Sequence, residues 1–106
     1  MDVLVSRARI DSDEYRANHQ RMSALVSEWR ARVARVREGG GPKYLERHRA
    51  QGKLPVRDRI AGLLDPETPF LELSALAAWD VYEDDAPSAG VVTGIGRVHG
   101  QEVMVV

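Results

Sequence analysis

The sequence predicts an α+β chain, with helices through about residue 64 and strands after them. Apolar residues recur at helical spacing over a long uninterrupted run in the first half. A glycine and a proline then punctuate two shorter helical pieces, as a helix end and a helix start. In the last third, two β-rich runs flank His99-Gly100, a pair able to make a two-residue hairpin turn.

Residues 1–12 show no clear period and read as a frayed N-terminus. Asp11, Ser12 and Asp13 are all competent N-caps, and Glu14 adds negative charge to a first turn. Beyond them Tyr15, Met22, Leu25, Val26, Trp29, Val33 and Val36 follow, stepping by 3, 1, 3, 4 and 3 from Met22 onward. No Pro or Gly intervenes before Gly39-Gly40-Gly41. The spacing predicts one helix of about 25 residues, close to 40 Å long at about 1.5 Å per residue. Its stripe is too long for a small chain to bury alone. It calls for a partner helix, a larger body or a coiled coil, or for packing on residues 42–64.

The glycine triplet is a hinge, and Pro42 restarts a helix with Tyr44 and Leu45 as its core residues. Gly52, lacking a Cβ, can end that helix in a left-handed conformation. Pro55 can open the next at its first helical position, where its missing N–H is not needed. Between them sits Lys53, an ammonium where two helix ends are exposed. Ile60, Leu63 and Leu64 form an apolar stripe, closed by Asp65-Pro66.

Phe70-Leu71-Glu72-Leu73 reads as a short strand. Residues 74–89 read as a mobile loop with one helical turn. Val91–Val98 and Gln101–Val106 read as the arms of the hairpin. Gly94 and Gly96 mark a bulge or close packing, since no third glycine or following helix makes a dinucleotide fingerprint. Val103-Met104-Val105-Val106 is apolar at four consecutive positions, which predicts a strand covered on both faces.

Composition excludes several function classes. The chain has 106 residues, 43% hydrophobic and 29% charged, with a formal net charge of −1. That is room for one domain at most. No run approaches the roughly 20 apolar residues of a membrane span. The start has no long apolar core or cleavage-site pattern and does not read as a signal peptide. With no cysteine there are no disulfides and no thiolate chemistry, which fits a cytoplasmic chain. The near-neutral charge conceals an asymmetry. Residues 16–59 hold 12 Lys/Arg against 4 Asp/Glu, and residues 60–106 hold one basic residue against 8 acidic ones. A basic helical half can attract phosphates, or be a solvated face answered by the acidic half. His19, His48 and His99 lack metal-ligand neighbours at i+3 or i+4, and the acidic cluster at 80–85 lacks calcium-loop spacing. Residue types and spacing yield no catalytic residues and no metal site.

Several pieces in order carry a resemblance. They are Glu46-Arg47-His48-Arg49, Gly52-Lys53-Leu54, Arg57-Asp58-Arg59-Ile60, Leu63-Leu64-Asp65, Pro69-Phe70-Leu71-Glu72-Leu73-Ser74 and Gly90-Val91-Val92-Thr93-Gly94-Ile95-Gly96. The chain resembles the opening of the carboxyltransferase (beta) subunit of biotin-dependent acyl-CoA carboxylases, most closely the methylcrotonyl-CoA type, then the propionyl-CoA type. The resemblance covers about residues 11–106. It implies a crotonase-like α/β fold, of which residues 13–106 are an incomplete N-terminal part: the helices, the first strands and a hairpin. It further implies transfer of CO2 from carboxybiotin to an acyl-CoA, a biotin-carboxylase/biotin-carrier alpha subunit as partner, and a homo-oligomer of beta subunits. Such chemistry needs backbone N–H groups aimed at developing negative charge. In the family those segments lie downstream of the first hairpin, so the chain alone is expected to be inactive.

By the same resemblance, Lys53, with Arg57 in support, lies near the nucleotide phosphates of CoA. The plain alternative is that both only cap and pair. Gln51 departs from the family, which often has Arg before Gly-Lys, so one positive charge is missing. Two other classes remain open. One is a helical interaction or oligomerisation module built on the Met22–Val36 stripe. The other is a small nucleic-acid-binding module, against which the basic residues face several directions and the hairpin lacks aromatic stacking residues.

Overall fold

The computed structural model describes residues 3–84 and 86–106. Helices α1 (Asp13–Arg37), α2 (Pro42–Ala50) and α3 (Val56–Leu63) precede strands β1 (Leu71–Leu73), β2 (Thr93–Val98) and β3 (Gln101–Val105). The α-then-β order is the one predicted. The chain divides into two compact units, one through Ala31 and one over Arg32–Val106.

In the first unit, residues 3–9 carry no regular structure. Of three possible caps the fold uses Ser12, whose Oγ accepts the Tyr15 N–H at 3.1 Å. Arg16 pairs with Asp13 one turn away, at 2.8 Å. Met22, Leu25 and Trp29 are 60%, 51% and 55% exposed, and Val26 is half-buried.

In the second unit, the end of α1 buries Val36 and lays the guanidinium groups of Arg32 and Arg35 5.4 and 5.6 Å from the Trp79 ring centre. Pro42 opens α2 as expected. Tyr44, expected in the core, is exposed, and Leu45 is half-buried. On a nine-residue helix, one apolar pair cannot fix which face turns inward. Pro55 stands one position earlier than predicted, as the N-cap of α3. Its extended ψ keeps it outside the helix while its carbonyl accepts the Arg59 N–H at 3.1 Å. Of the expected stripe on α3, Ile60 is buried and Leu64 half-buried, but Leu63 is exposed.

The sheet is antiparallel in the order β1-β2-β3. Its register places Leu71, Ile95 and Met104 side by side on one face, all exposed. Glu72, Gly94 and Val105 line up on the other. The run Val103–Val106 is therefore not covered on both faces here. Val103 and Val105 are half-buried, whereas Met104 and Val106 are exposed. Gly94 and Gly96 serve close packing and not a bulge: the register is unbroken, and Phe70 and Leu64 occupy the space a Cβ would need. His99 and Gly100, with φ of 49° and 78°, make the predicted two-residue turn in its left-handed form.

Residues 74–90 hold two short 3-10 turns, Tyr82–Asp84 and Pro87–Gly90, where one helical turn was expected. Buried Ser88 ties this segment to itself by donating its hydroxyl to the Ala75 carbonyl at 3.1 Å.

Candidate functional site

The joint between α2 and α3 is built by backbone geometry. Gly52 sits at φ 71°, its N–H donating to the Arg49 carbonyl at 2.9 Å. The Lys53 N–H donates to the His48 carbonyl at 3.1 Å. This pair of bonds is a Schellman motif, which satisfies the last carbonyls of α2 and reverses the chain. The Lys53 main chain is thus fixed while its side chain projects into solvent. The Arg59 Nε–H closes the other side on the Leu54 carbonyl at 3.0 Å, and Arg49 reaches Asp58 across the joint at 3.7 Å. Among the described residues no carboxylate pairs with the Lys53 ammonium. A lysine fixed at the backbone with its ammonium in solvent can receive a mobile anion such as a phosphate.

Arg57 is placed differently. From the first turn of α3 it turns to the sheet and donates an N–H to Glu72 Oε1. Glu72 is only 9% exposed at its side chain, Arg57 25%. The other carboxylate oxygen faces Arg37 Nε at 3.8 Å. Glu72 thereby connects the end of α1, the start of α3 and β1. Beside this network runs a cleft of about 460 Å3, walled by Ile60, Leu64 and Phe70 and bordered by Arg37, Arg57 and Glu72. The Arg57 Nε–H, buried and without a hydrogen-bond partner among the described residues, shows how tightly its guanidinium is committed inward. The two cations singled out by the sequence therefore do not share one role: Lys53 is available, and Arg57 is engaged.

A second carboxylate escaped the sequence reading. Asp65 accepts the N–H groups of His99 and Gly100, at 2.7 and 2.8 Å, one on each oxygen. Its own N–H donates to the Arg97 carbonyl at 2.8 Å, and its carbonyl accepts the Thr68 hydroxyl at 2.7 Å. The Gly100 N–H, with smaller help from His99 and Arg97, holds this carboxyl below its ordinary range against the opposing effect of burial. The residue fastens the hairpin tip to the end of α3. Asp-Pro after a helix signals a turn; nothing local says that the carboxylate reaches a hairpin more than 30 residues on. Glu72 offered still less signal, since alternation in a short strand suggests a solvent-facing charge.

Among the described residues no cluster of three His, Asp or Glu could hold a metal ion, and no helix is long and apolar enough to cross a membrane.

Comparison with known proteins adds to this geometry. Residues 47–106 match the family profile described as the carboxyl transferase domain. The chain is 48% identical to the probable mitochondrial methylcrotonoyl-CoA carboxylase beta chain of Drosophila melanogaster, over 99% of this chain and 18% of that one. It is 46% identical to the biotin-dependent 3-methylcrotonyl-coenzyme A carboxylase beta1 subunit of Mycobacterium tuberculosis, over 77% of this chain and 16% of that one. Among solved structures, it superposes on the beta subunit of P. aeruginosa geranyl-CoA carboxylase with a TM-score of 0.80 at 28% identity. That match covers 97% of this chain and 19% of that one. The chain spans less than a fifth of the length of these relatives.

Proposed function

The chain belongs to the carboxyl transferase domain family, and from that we propose that it forms the N-terminal portion of an acyl-CoA carboxylase carboxyltransferase subunit. The whole subunit moves CO2 from carboxybiotin to an acyl-CoA, with methylcrotonyl-CoA as the first candidate substrate and propionyl-CoA the second. Identity of 46–48% to methylcrotonyl-CoA carboxylase beta chains supports the order of those candidates. The reading includes a crotonase-like completion of the fold, a biotin-bearing alpha subunit and further beta subunits as partners, and a cytoplasmic location.

Among the described residues, the adjacent N–H pair of the hairpin tip does not fit carboxybiotin. A cradle for its ureido oxygen needs converging N–H donors at an open position. The adjacent N–H groups of His99 and Gly100 have that form, but Asp65 fills them. No step of the transfer is assigned to this chain.

Its contribution is to substrate binding. The observation that carries this is the exposed Lys53 ammonium on a fixed backbone joint. We assign it to a phosphate at the nucleotide end of acyl-CoA. Arg57, paired with Glu72, supports by holding the first turn of α3 in place. A contact so remote from the thioester binds ground state and transition state alike, so it lowers KM without changing kcat. Lys53→Ala in a subunit carrying this segment should raise KM for the acyl-CoA about tenfold, the equivalent of roughly 1.4 kcal/mol, with kcat unchanged. A thioester lacking the nucleotide should show no loss. An unchanged KM, or the same loss with the truncated thioester, rejects the assignment.

A further inference from the structure

The exposed side of α1 is self-complementary. Taking about 100° per residue, Met22, Leu25, Val26 and Trp29 fall within a sector of roughly 100°. Three of them are more than half exposed. Their positions are symmetric about the midpoint between Leu25 and Val26. When a second copy of the helix is laid antiparallel about that point, its Trp29 faces Met22 and its Val26 faces Leu25. The flank beside Leu25 carries Arg21 and Glu28, residues of opposite sign seven apart. In the antiparallel arrangement Arg21 of one copy comes alongside Glu28 of the other, twice by symmetry. In a parallel arrangement this flank of one copy would lie on the opposite side of the contact from the same flank of the other, so Arg21 and Glu28 would not meet.

We propose that α1 pairs with α1 of a second copy of this chain, antiparallel, through Met22, Leu25, Val26 and Trp29, with Arg21 and Glu28 setting the direction. The pairing rests on α1 alone and does not depend on the acyl-CoA reading of Lys53. Large apolar side chains covered by a partner, flanked by charges that fix orientation, follow the logic of helix pairs generally. The contact is short, so the dimer is a weak one.

The native chain contains no cysteine, so single-cysteine variants of the full 106-residue protein report on one position each. Leu25→Cys, next to the symmetry point, should cross-link to itself under mild oxidation. Met22→Cys and Trp29→Cys should each stay uncross-linked alone, because like positions lie about 10 Å apart along the axis. Mixed, the two should cross-link to one another. In sedimentation equilibrium, Arg21→Glu and Glu28→Arg should each weaken dimerisation about tenfold, and the double reversal should restore it. Circular dichroism of each variant checks that the helix is retained. A wild-type chain that stays monomeric at its highest soluble concentration overturns the proposal. So does self-cross-linking of Met22→Cys, which means parallel pairing. Dimers that never cross-link at residue 25 overturn it as well, since they form through another surface such as the open sheet.

Discussion

Adding one methyl group at Gly94 should cost far more than adding one at Gly96. A Cβ at residue 94 would stand 2.7 Å from the Leu71 carbonyl oxygen and 2.6 Å from Phe70 Cε2, with Phe70 Cζ closer still. Ordinary contacts begin near 3.4 Å. The phenyl ring could turn, but the Leu71 oxygen is backbone in β1, paired to β2 by the sheet register. Relief therefore means moving a strand. At Gly96 the nearest atoms are the ends of flexible side chains: Leu64 Cδ2, then Leu64 Cδ1 at 3.2 Å and Phe70 Cδ2 at 3.3 Å. Leu64 is half-buried and can change rotamer.

Overpacking typically costs about 1–3 kcal/mol, and replacing glycine returns about 0.4–1 kcal/mol by restricting the unfolded chain. Gly94→Ala should sit at the top of that range, a net loss of about 2 kcal/mol. Gly96→Ala should lie between about 0 and 1 kcal/mol. With urea slopes of about 1–1.5 kcal/mol/M for a chain this small, Gly94→Ala should lower the midpoint by roughly 1.5 M and Gly96→Ala by at most about 1 M. Urea titrations followed by far-ultraviolet circular dichroism measure both. Equal midpoints, or a larger loss at Gly96, would refute the distinction between a backbone neighbour and a side-chain neighbour.

Two carboxylates offer further tests. Asp65→Asn should lower the melting temperature at neutral pH, because the amide keeps one acceptor and turns an N–H donor toward the other hairpin N–H. The folded carboxyl titrates below its ordinary value of 3.8, so its contribution is complete above about pH 4. It disappears as pH falls through the lower folded value. The gap between wild type and variant should therefore close in strong acid, and a gap constant from pH 7 to the acid limit would reject the bonds to the hairpin as its source. Glu72→Ala should destabilise by about 2–4 kcal/mol, because it strands a mostly buried guanidinium. Arg37→Ala should cost less than about 1 kcal/mol, because its side chain is 60% exposed and its contact is 3.8 Å long. Comparable losses for the two, in denaturant melts, would remove Glu72 from the centre of the network.

The sequence by itself determined whatever depends on near neighbours along the chain. The 3–4 residue spacing up to Val36 sets α1, Gly52 with its two backbone bonds sets the joint, and His99-Gly100 sets the hairpin turn. Each is a backbone preference acting over about five residues or fewer, so residue type and spacing suffice. The pieces quoted from Glu46 to Gly96 also disclosed the family. Tertiary structure decided which side chains those elements bring together. Arg57 and Lys53 read alike in sequence, yet the fold turns one toward Glu72, 15 residues on, and leaves the other in solvent. Asp65 reads as turn chemistry, yet it clasps N–H groups 34 and 35 residues away. Four apolar residues at the end of β3 read as fully covered, yet the sheet has material on only one face to cover them. A charge or an apolar group acts on whatever lies within a few ångströms. For these residues that neighbour is chosen only when α3, the sheet and the hairpin have met.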